Sequence, residues 1–174
     1  LSEFALENSV SGFEFLSCIP GSIGGGIRMN SGCFGSEFKD IVISVQAVNL
    51  LGEILTIPAK DINFNYRSCN LPKDLIFLSA TFEGNKRKKE AIKETINIFK
   101  TKKEKAQPTK IKTGGSTFKN PIKQTDKKVW EIIKKSVPSD IQFGDAIISD
   151  KHANFFVNKD NASFIDMKKL IDFV

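Results

Sequence analysis

The chain has 174 residues, of which 40% are hydrophobic and 26% charged, and it carries a net charge of +6. Apolar residues recur along its whole length, which excludes collagen-like, mucin-like and disordered classes and allows one sizeable core or two small ones. The positive charge is local, because residues 84–112 hold 11 basic and 3 acidic residues, a balance of +8, and everything else sums to −2.

The amino-terminal end predicts a short helix followed by a glycine-rich stretch. Leu1, Phe4 and Ala5 are spaced so that they share one helix face. Residues 17–35 contain six of the twelve glycines. Such a density is typical of loops in which the backbone takes a positive φ or approaches another group closely, so we expect loops here.

Three strands are predicted after the glycine-rich stretch. Alternation predicts a first strand with one face formed by Ile41, Ile43, Val45 and Ala47. Leu51-Gly52 predicts a turn into a second strand over residues 53–57, and residues 75–82 are strongly β-forming. We expect the three strands to form an antiparallel meander.

The pattern becomes helical over residues 86–105. Ile92, Ile96 and Phe99 form one apolar stripe among lysines, and Pro108 ends the predicted helix. The change of composition near Pro108 is the best candidate for a domain boundary.

Shorter elements are predicted beyond Pro108. A loop rich in Gly and Thr comes first, then a helix over residues 127–135 and two apolar strands over residues 146–148 and 155–157. Ser163 and Asp166 predict a capping box that starts a closing helix.

Both ends of the sequence have the features of segments that lie within a longer chain. The chain has no initiator Met, and the closing helix stripe reaches Val174 without a stop signal. We therefore expect a piece of a longer protein. The sequence shows neither a signal peptide nor an apolar run of roughly 20 residues that would span a bilayer.

Cysteine usage bears on the compartment. Cys18, Cys33 and Cys69 are odd in number and lack CxxC spacing, so we expect no disulfide framework and no metal site. A reducing compartment is the default.

Two glycine-containing clusters could bind a ligand. Residues 17–35 either form tight turns or present successive backbone N–H groups to phosphate oxygens. Residues 113–121 present a serine hydroxyl, a lysine and an asparagine after two glycines, which suits a pyrophosphate or a carboxylate. The alternative for the second cluster is an exposed polar loop.

Single residues give weaker signals. Arg67 follows Tyr66 and is the only arginine between Arg28 and Arg87, so it either stacks on its neighbour at the surface or supplies a planar fork for a carboxylate. His152 is the only histidine and cannot build a histidine-rich metal site. The basic residues 84–112 indicate either nucleic-acid binding or a solvated helix face, and stacking aromatics are scarce among them.

Taken in order along the chain, five motifs resemble those of the UDP-N-acetylenolpyruvoylglucosamine reductase family, also called UDP-N-acetylmuramate dehydrogenases, in the compact form without the tyrosine-bearing insertion. The motifs are Ser17 to Gly25, Met29 to Gly35, Phe64 to Arg67, Gly114 to Pro121 and Lys151 to Phe155. Each motif alone is weak, whereas the ordered set covers nearly the whole chain and is specific.

The resemblance implies the chemistry of a flavoenzyme. In such an enzyme NADPH reduces a bound FAD, and the flavin passes hydride to the enolpyruvyl double bond of UDP-N-acetylglucosamine enolpyruvate, giving UDP-N-acetylmuramate for peptidoglycan precursors. Arg67 matches the arginine that stabilises the enolate-like anion, and Ser116 matches the serine that returns a proton to it.

The resemblance also implies binding residues. Those matched to the FAD site, largely through backbone, are Ile19, Pro20, Gly21, Ser22, Gly24, Gly25, Asn30, Gly32 and Gly35. Those matched to the substrate site are Lys119, Asn120 and His152. Phe34 stands where a tyrosine is more usual in the family.

The implied fold is α+β. Residues 1–107 are expected to form the second part of a vanillyl-alcohol-oxidase-like FAD-binding lobe with its connecting helix, and residues 108–174 a small α/β substrate-binding domain. The family's first phosphate loop and its catalytic glutamate have no match in this chain. We therefore expect the 174 residues alone neither to hold FAD firmly nor to turn over.

Two rival functions remain open from the sequence. One is another FAD oxidoreductase with the same lobe, which would not need residues 114–121 or His152. The other is a non-catalytic nucleic-acid-binding module using residues 84–112. If the chain instead has the function that the five motifs imply, we expect a monomeric protein of the bacterial cytoplasm. It would bind a UDP-sugar, FAD and NADPH, and neither nucleic acid nor a membrane.

Overall fold

A computed structural model describes residues 1–108 and 111–174 of the chain. The chain divides into two compact units, Leu1–Lys102 and Lys103–Val174. Each unit combines antiparallel sheets with separate helices, so the predicted α+β class is confirmed. The predicted boundary after Gln107 stays a prediction. Among the described residues, none of the helices has the length and hydrophobicity that crossing a bilayer requires.

The first unit contains three α-helices and nine strands. The helices are α1 (Ser2–Glu7), α2 (Ile23–Arg28) and α3 (Lys89–Ala106), of which α3 begins in this unit. The strands are β1 (Val10–Ser11), β2 (Gly32–Cys33), β3 (Ser36–Glu37), β4 (Val42–Val48), β5 (Ile54–Pro58), β6 (Phe64–Asn65), β7 (Ser68–Cys69), β8 (Ile76–Phe82) and β9 (Asn85–Lys86). Single 3-10 turns are formed by Glu14–Cys18, Phe38–Asp40 and Ala59–Asp61.

The main sheet of the first unit is antiparallel, as predicted, but it is not a meander. Its strand order is β5-β4-β8, so β8 pairs with β4 and not with its predecessor β5. In β4 the pairing shifts between Val42 and Ser44, which lie opposite the adjacent residues Phe82 and Thr81. The extra residue of this bulge is Ile43, whose side chain is therefore 45% exposed. The predicted place of Ile43 on the buried face is wrong for this reason.

The glycine-rich stretch is more regular than the sequence indicates. Residues Ile23–Arg28 form helix α2, which corrects the expectation of loops throughout residues 17–35. Ser22 caps the helix, since its hydroxyl accepts from the N–H of Gly25 at 3.1 Å. The helix then buries Ile27 in the core beside Phe15, Phe38 and Val45. Burial of this helix offsets its low intrinsic propensity.

Helix α3 confirms the predicted apolar stripe but begins later than expected. Ile92 and Ile96 are buried and Phe99 packs against the core, while most of the lysines of the helix are exposed. Lys86, predicted as helical, belongs with Asn85 to β9, which pairs with β1. Of the basic residues 84–112, Lys110 lies outside the described residues, as does its neighbour Thr109.

The second unit is a four-stranded antiparallel sheet with two helices. Its strands are β10 (Lys112–Ser116), β11 (Gln142–Phe143), β12 (Ala146–Ile148) and β13 (Phe155–Asn158), in the order β10-β13-β12-β11. Its helices are α4 (Val129–Ser136) and α5 (Phe164–Phe173). The core combines residues from the sheet and both helices, among them Ile133, Ala146, Ile148, Phe156 and Leu170.

Two predictions about the second unit have opposite outcomes. The capping box of α5 is confirmed: Ser163 accepts from the N–H of Asp166, and Asp166 accepts from the N–H of Ser163. The loop predicted after Pro108 is wrong over residues 112–116, which form β10. This strand contains two glycines and was therefore not recognisable by β-propensity.

Candidate functional site

A cavity of about 370 Å³ lies beside the glycine-rich segment of the first unit. Among the residues that line it are five of those matched to an FAD site, namely Ile19, Pro20, Gly21, Ser22 and Gly25. Ser2 also lines this cavity. Its hydroxyl oxygen is buried and has no hydrogen-bond partner among the described residues.

The glycines in this part of the chain are required for different physical reasons. Gly21 has φ +130° with open space where a Cβ would lie. A Cβ on Gly26 would come within 2.3 Å of the Phe38 ring, and one on Gly24 would contact Phe77 at 3.5 Å. Gly26 is therefore required by packing, whereas Gly21 keeps the backbone accessible from the cavity.

The cavity suits part of a nucleotide cofactor. The first N–H groups of a helix lack intrahelical acceptors, and the positive end of α2 favours anionic oxygens. The open backbone at Gly21 and the hydroxyl of Ser22 add polar atoms to mostly apolar walls. These features fit a diphosphate-containing group such as FAD.

The hairpin of β2 and β3 carries two further residues matched to the FAD site. Its turn residues Phe34 and Gly35 have φ +55° and +86°, and the Phe34 ring stacks on Phe99 at 4.6 Å. A Cβ on Gly32 would come within 2.4 Å of the carbonyl oxygen of Ser36, so Gly32 is required by the close pairing of the strands. Gly35 has open space around it and can face a ligand.

Asn30 has a structural role in this unit. Its side chain donates to the Glu37 carboxylate at 2.6 Å and accepts from the N–H of Lys39 at 3.0 Å, and the residue is 5% exposed. Any contact that Asn30 makes to a cofactor would therefore go through its backbone.

Arg67 lies in the turn between β6 and β7. Its φ is +53°, a left-handed conformation that costs a residue with a Cβ roughly 1–2 kcal/mol. The guanidinium carbon lies 5.9 Å from the centroid of the Tyr66 ring, and the residue is half-buried. Strained conformations of this kind concentrate at functional sites, which is consistent with a ligand-directed role for Arg67.

In the second unit, Ser116 ends strand β10 just after a bulge. The pairing of β10 with β13 shifts between Thr113 and Ser116, so that two residues on β10 lie opposite one residue, Phe156, on β13. The extra residue is accommodated at Gly114-Gly115, and Gly115 has φ +88°. The Thr113 hydroxyl donates to the carbonyl oxygen of Phe156 at 2.6 Å, which fixes the start of the bulge.

The segment after Ser116 is held by Asn154. The Asn154 side chain accepts from the N–H of Phe118 and donates to the carbonyl oxygen of Phe118, both at 2.9 Å. Lys119 next to it is exposed. The side-chain oxygen of Asn120 accepts from the N–H of Val129 at 3.0 Å, so this residue also caps α4.

His152 is connected to the same segment by Asn154. Its Nδ1 accepts from the N–H of Asn154 at 3.3 Å, and its ring lies 4.7 Å from that of Phe155 and 6.0 Å from that of Trp130. Burial among these rings lowers the pKa of His152, so the imidazole is neutral at pH 7. A neutral ring that accepts through Nδ1 has its proton on Nε2 and can donate there.

The structure thus groups the candidate residues within each unit. In the second unit, Asn154 is bonded to Phe118 and to His152. It therefore connects the segment that carries Ser116, Lys119 and Asn120 with His152. In the first unit, residues 19–23 and Gly25 border one cavity. The Asn30 side chain lies 3.5 Å from the carbonyl oxygen of Asn65, in the strand that precedes Arg67. Sequence reasoning missed the role of Asn154, for which its place beside the lone histidine was the available signal.

Two domain families match this chain. Residues 1–58 match the family described as FAD binding domain, and residues 107–174 match the family described as UDP-N-acetylenolpyruvoylglucosamine reductase, C-terminal domain. These two matches include four of the five sequence motifs, whereas the motif Phe64 to Arg67 lies between them.

Curated relatives and a solved structure match the whole chain. A UDP-N-acetylenolpyruvoylglucosamine reductase of Pelagibacter ubique (strain HTCC1062) is 64% identical over 174 residues, which are 100% of this chain and 58% of the relative. The reductase of the same name from Rickettsia typhi is 45% identical with the same coverage. The crystal structure of UDP-N-acetylenolpyruvylglucosamine reductase from Thermus caldophilus superposes with a TM-score of 0.88 at 28% identity, covering 99% of this chain and 62% of that one. The chain therefore spans little more than half the length of its curated relatives.

Proposed function

Because this chain belongs to the UDP-N-acetylenolpyruvoylglucosamine reductase family, we propose that it provides the flavin-side and substrate-side residues of such a reductase. The proposed reaction is the NADPH-dependent, FAD-mediated reduction of UDP-N-acetylglucosamine enolpyruvate to UDP-N-acetylmuramate in peptidoglycan precursor synthesis. The observation that carries the proposal is the 64% identity to a reductase of this name over all 174 residues.

The first unit would hold FAD. Its glycine-rich segment would bind the diphosphate through the backbone at Gly21 and the capped start of α2. Gly35 would approach the cofactor from the β2–β3 hairpin, where it has open space. When bound, FAD supplies the hydride chemistry that no protein side chain can supply.

The second unit would hold the UDP-sugar. Lys119 is exposed and offers a point charge for a diphosphate, while the amide of Asn120 is kept in place by its bond to Val129. The neutral His152 would donate from Nε2 to an uncharged acceptor of the nucleotide. These three assignments combine family matching with the geometry of one unit.

Arg67 and Ser116 would act on the reacting group. Addition of hydride beside a carboxylate builds up negative charge on that carboxylate, and the Arg67 guanidinium would stabilise this charge more strongly in the transition state than in the substrate. The Ser116 hydroxyl would then give its proton to the carbon next to the carboxylate. A serine is a weak acid, so this transfer needs a strongly basic carbanion held against it.

Backbone amide shifts of the 174-residue chain on titration with UDP-N-acetylglucosamine enolpyruvate test the proposal. We expect shifts that saturate and centre on residues 114–120 and His152. A basic nucleic-acid-binding module would instead respond to an oligonucleotide through residues 84–112. Silence of residues 114–120 together with an oligonucleotide response would overturn the proposal.

A further inference from the structure

Asn154 is one of the four polar or charged residues that are buried among those described. It is 4% exposed, and its side chain forms two hydrogen bonds to the backbone of a single residue, Phe118. In addition, its own carbonyl oxygen accepts from the N–H of Thr117 at 2.8 Å. Asn154 therefore binds two consecutive residues of a segment 36 positions earlier in the chain.

The Asn154 side chain pairs with Phe118 in the way that a peptide group pairs with a residue on a neighbouring β-strand. A primary amide presents a donor and an acceptor side by side, as a peptide group does, so it can satisfy both the N–H and the C=O of Phe118. Ser116 is already paired with Phe155 in the sheet, and Asn154 continues the pairing where regular strand geometry ends. The Phe118 ring packs edge-on against Phe156 at 5.8 Å, which holds the segment from its apolar side.

The residues fixed in this way lie between the proposed substrate ligands. Thr117 and Phe118 separate Ser116 on one side from Lys119 and Asn120 on the other. A segment that is ordered before binding does not have to lose backbone freedom when the ligand arrives, and its affinity is higher for that reason.

We propose that Asn154 is a positioning residue for substrate binding, which holds residues 116–120 in their ligand-binding arrangement in the free protein. The proposal rests on the proposed function, because it needs these residues to contact the UDP-sugar. Asn154 itself is buried against protein backbone and acts through Ser116, Lys119 and Asn120.

Asn158, the last residue of β13, offers a matched control for Asn154, which directly precedes that strand. Its side chain accepts from the N–H of Ala162 at 2.9 Å and donates to the carbonyl oxygen of Ala162 at 3.4 Å. This is the same kind of pairing by the same residue type, but it holds the turn before α5 and not residues 116–120. Replacing Asn158 tests the loss of a side-chain clamp without disturbing the proposed ligands.

The experiment compares Asn154→Ala, Asn154→Ser and Asn158→Ala in the 174-residue chain. Thermal unfolding and the amide spectrum report folding, and titration with UDP-N-acetylglucosamine enolpyruvate reports affinity and the bound spectrum. Asn154→Ser keeps a small polar side chain and introduces no buried charge, so it remains informative where Asn154→Ala does not fold.

For both Asn154 variants we expect about tenfold weaker binding, corresponding to the loss of one or two net hydrogen bonds. We also expect altered amide signals of residues 116–120 in the free chain and, at saturation, a return of the Lys119 and Asn120 signals to their wild-type bound positions. The Phe118 signal stays shifted, because its N–H has lost its acceptor. Asn158→Ala should bind as the wild type does. Recovery of the Lys119 and Asn120 signals separates positioning from a general loss of stability.

A folded Asn154 variant with wild-type affinity would overturn the inference, as would an equal loss in Asn158→Ala or Lys119 and Asn120 signals that stay altered at saturation. A wild-type chain that shows no binding would remove the proposed function and this inference together. The two failures are therefore distinguishable by the wild-type titration alone.

Discussion

The guanidinium carbon of Arg28 lies 4.4 Å from the centroid of the Phe77 ring. The same guanidinium donates to the backbone carbonyl oxygens of Leu71 and Pro72 through Nη1 and of Leu75 through Nη2, at 2.8–3.0 Å. One side chain at the end of α2 therefore fixes the connection that leads into β8. The glycine-rich segment beside the cavity is thus anchored through Arg28 at its far end.

Replacing Arg28 with lysine should destabilise the first unit. A lysine keeps the charge but cannot direct donors at three carbonyl oxygens from a planar fork, and the cost of unsatisfied acceptors is about 1–3 kcal/mol. Urea unfolding followed by circular dichroism measures the change. Arg87→Lys is the control, because the Arg87 side chain is half-exposed and its ion pair with Glu14 is long, at 4.0 Å. Equal effects of the two substitutions would contradict the role given to Arg28.

Replacing Arg67 with glycine should stabilise the first unit while removing its proposed function. Glycine adopts φ +53° without the steric cost that a Cβ carries there, so the free energy of unfolding should rise by about 1 kcal/mol. Arg67→Ala keeps the strain and serves as the comparison. A lower stability of Arg67→Gly than of Arg67→Ala would show that the left-handed turn is not strained.

Replacing Ser163 with alanine should destabilise the second unit by about 1 kcal/mol, because the N-cap of α5 is lost. The hydrogen bond from Ser163 lowers the pKa of Asp166 below 3.8, so its contribution to stability is present above pH 3.8 and is lost as the pH falls through the lowered pKa. Trp130, the only tryptophan, reports unfolding of this unit by fluorescence. Ser136→Ala, at an exposed helix end, is the control and should change little.

The second unit should become less stable as the pH falls below 6.5. Burial lowers the pKa of His152 from 6.5, so the unfolded chain takes up a proton first as the pH falls. Stability is therefore complete above pH 6.5 and declines between pH 6.5 and the lowered pKa. His152→Gln should flatten this dependence in urea unfolding followed by Trp130 fluorescence. An unchanged slope would show that His152 is not its source.

Local signals in the sequence were sufficient for several elements. The capping box of Ser163 and Asp166 lies within four residues, and the stripe of Ile92, Ile96 and Phe99 needs only helical spacing, so both were predictable and are confirmed. The strand through Val45 and Ala47 follows from alternation in the same way.

Errors arose where distant residues decide the structure. Ile43 is exposed because of a bulge that depends on the pairing of β4 with β8. Helix α2 forms in a run of glycines because Phe38 packs against Gly26 and Ile27 is buried in the core. The partners of Arg28 lie 43 to 47 positions along the chain and are backbone carbonyls, which leave no sequence signal.

The candidate sites were predicted as sequence motifs, but the hydrogen bonds that hold their residues in place were not predicted. The sequence indicated Ser116, Lys119 and Asn120, whereas the reciprocal bonds of Asn154 to Phe118 needed the fold. Their roles remain proposals, as do those of the residues matched to the FAD site.

Substrate-dependent turnover by a hybrid protein tests the proposed reductase function most directly. In the hybrid, this chain replaces the matching 174 residues of the Pelagibacter ubique relative, to which it is 64% identical. Flavin absorbance serves as the control for folding, and oxidation of NADPH on addition of UDP-N-acetylglucosamine enolpyruvate is the readout. We predict turnover by the hybrid, slow flavin reoxidation by substrate in Arg67→Ala, and stalled proton return in Ser116→Ala. A flavin-containing hybrid that oxidises no NADPH with this substrate, or unchanged turnover in both variants, would contradict the account.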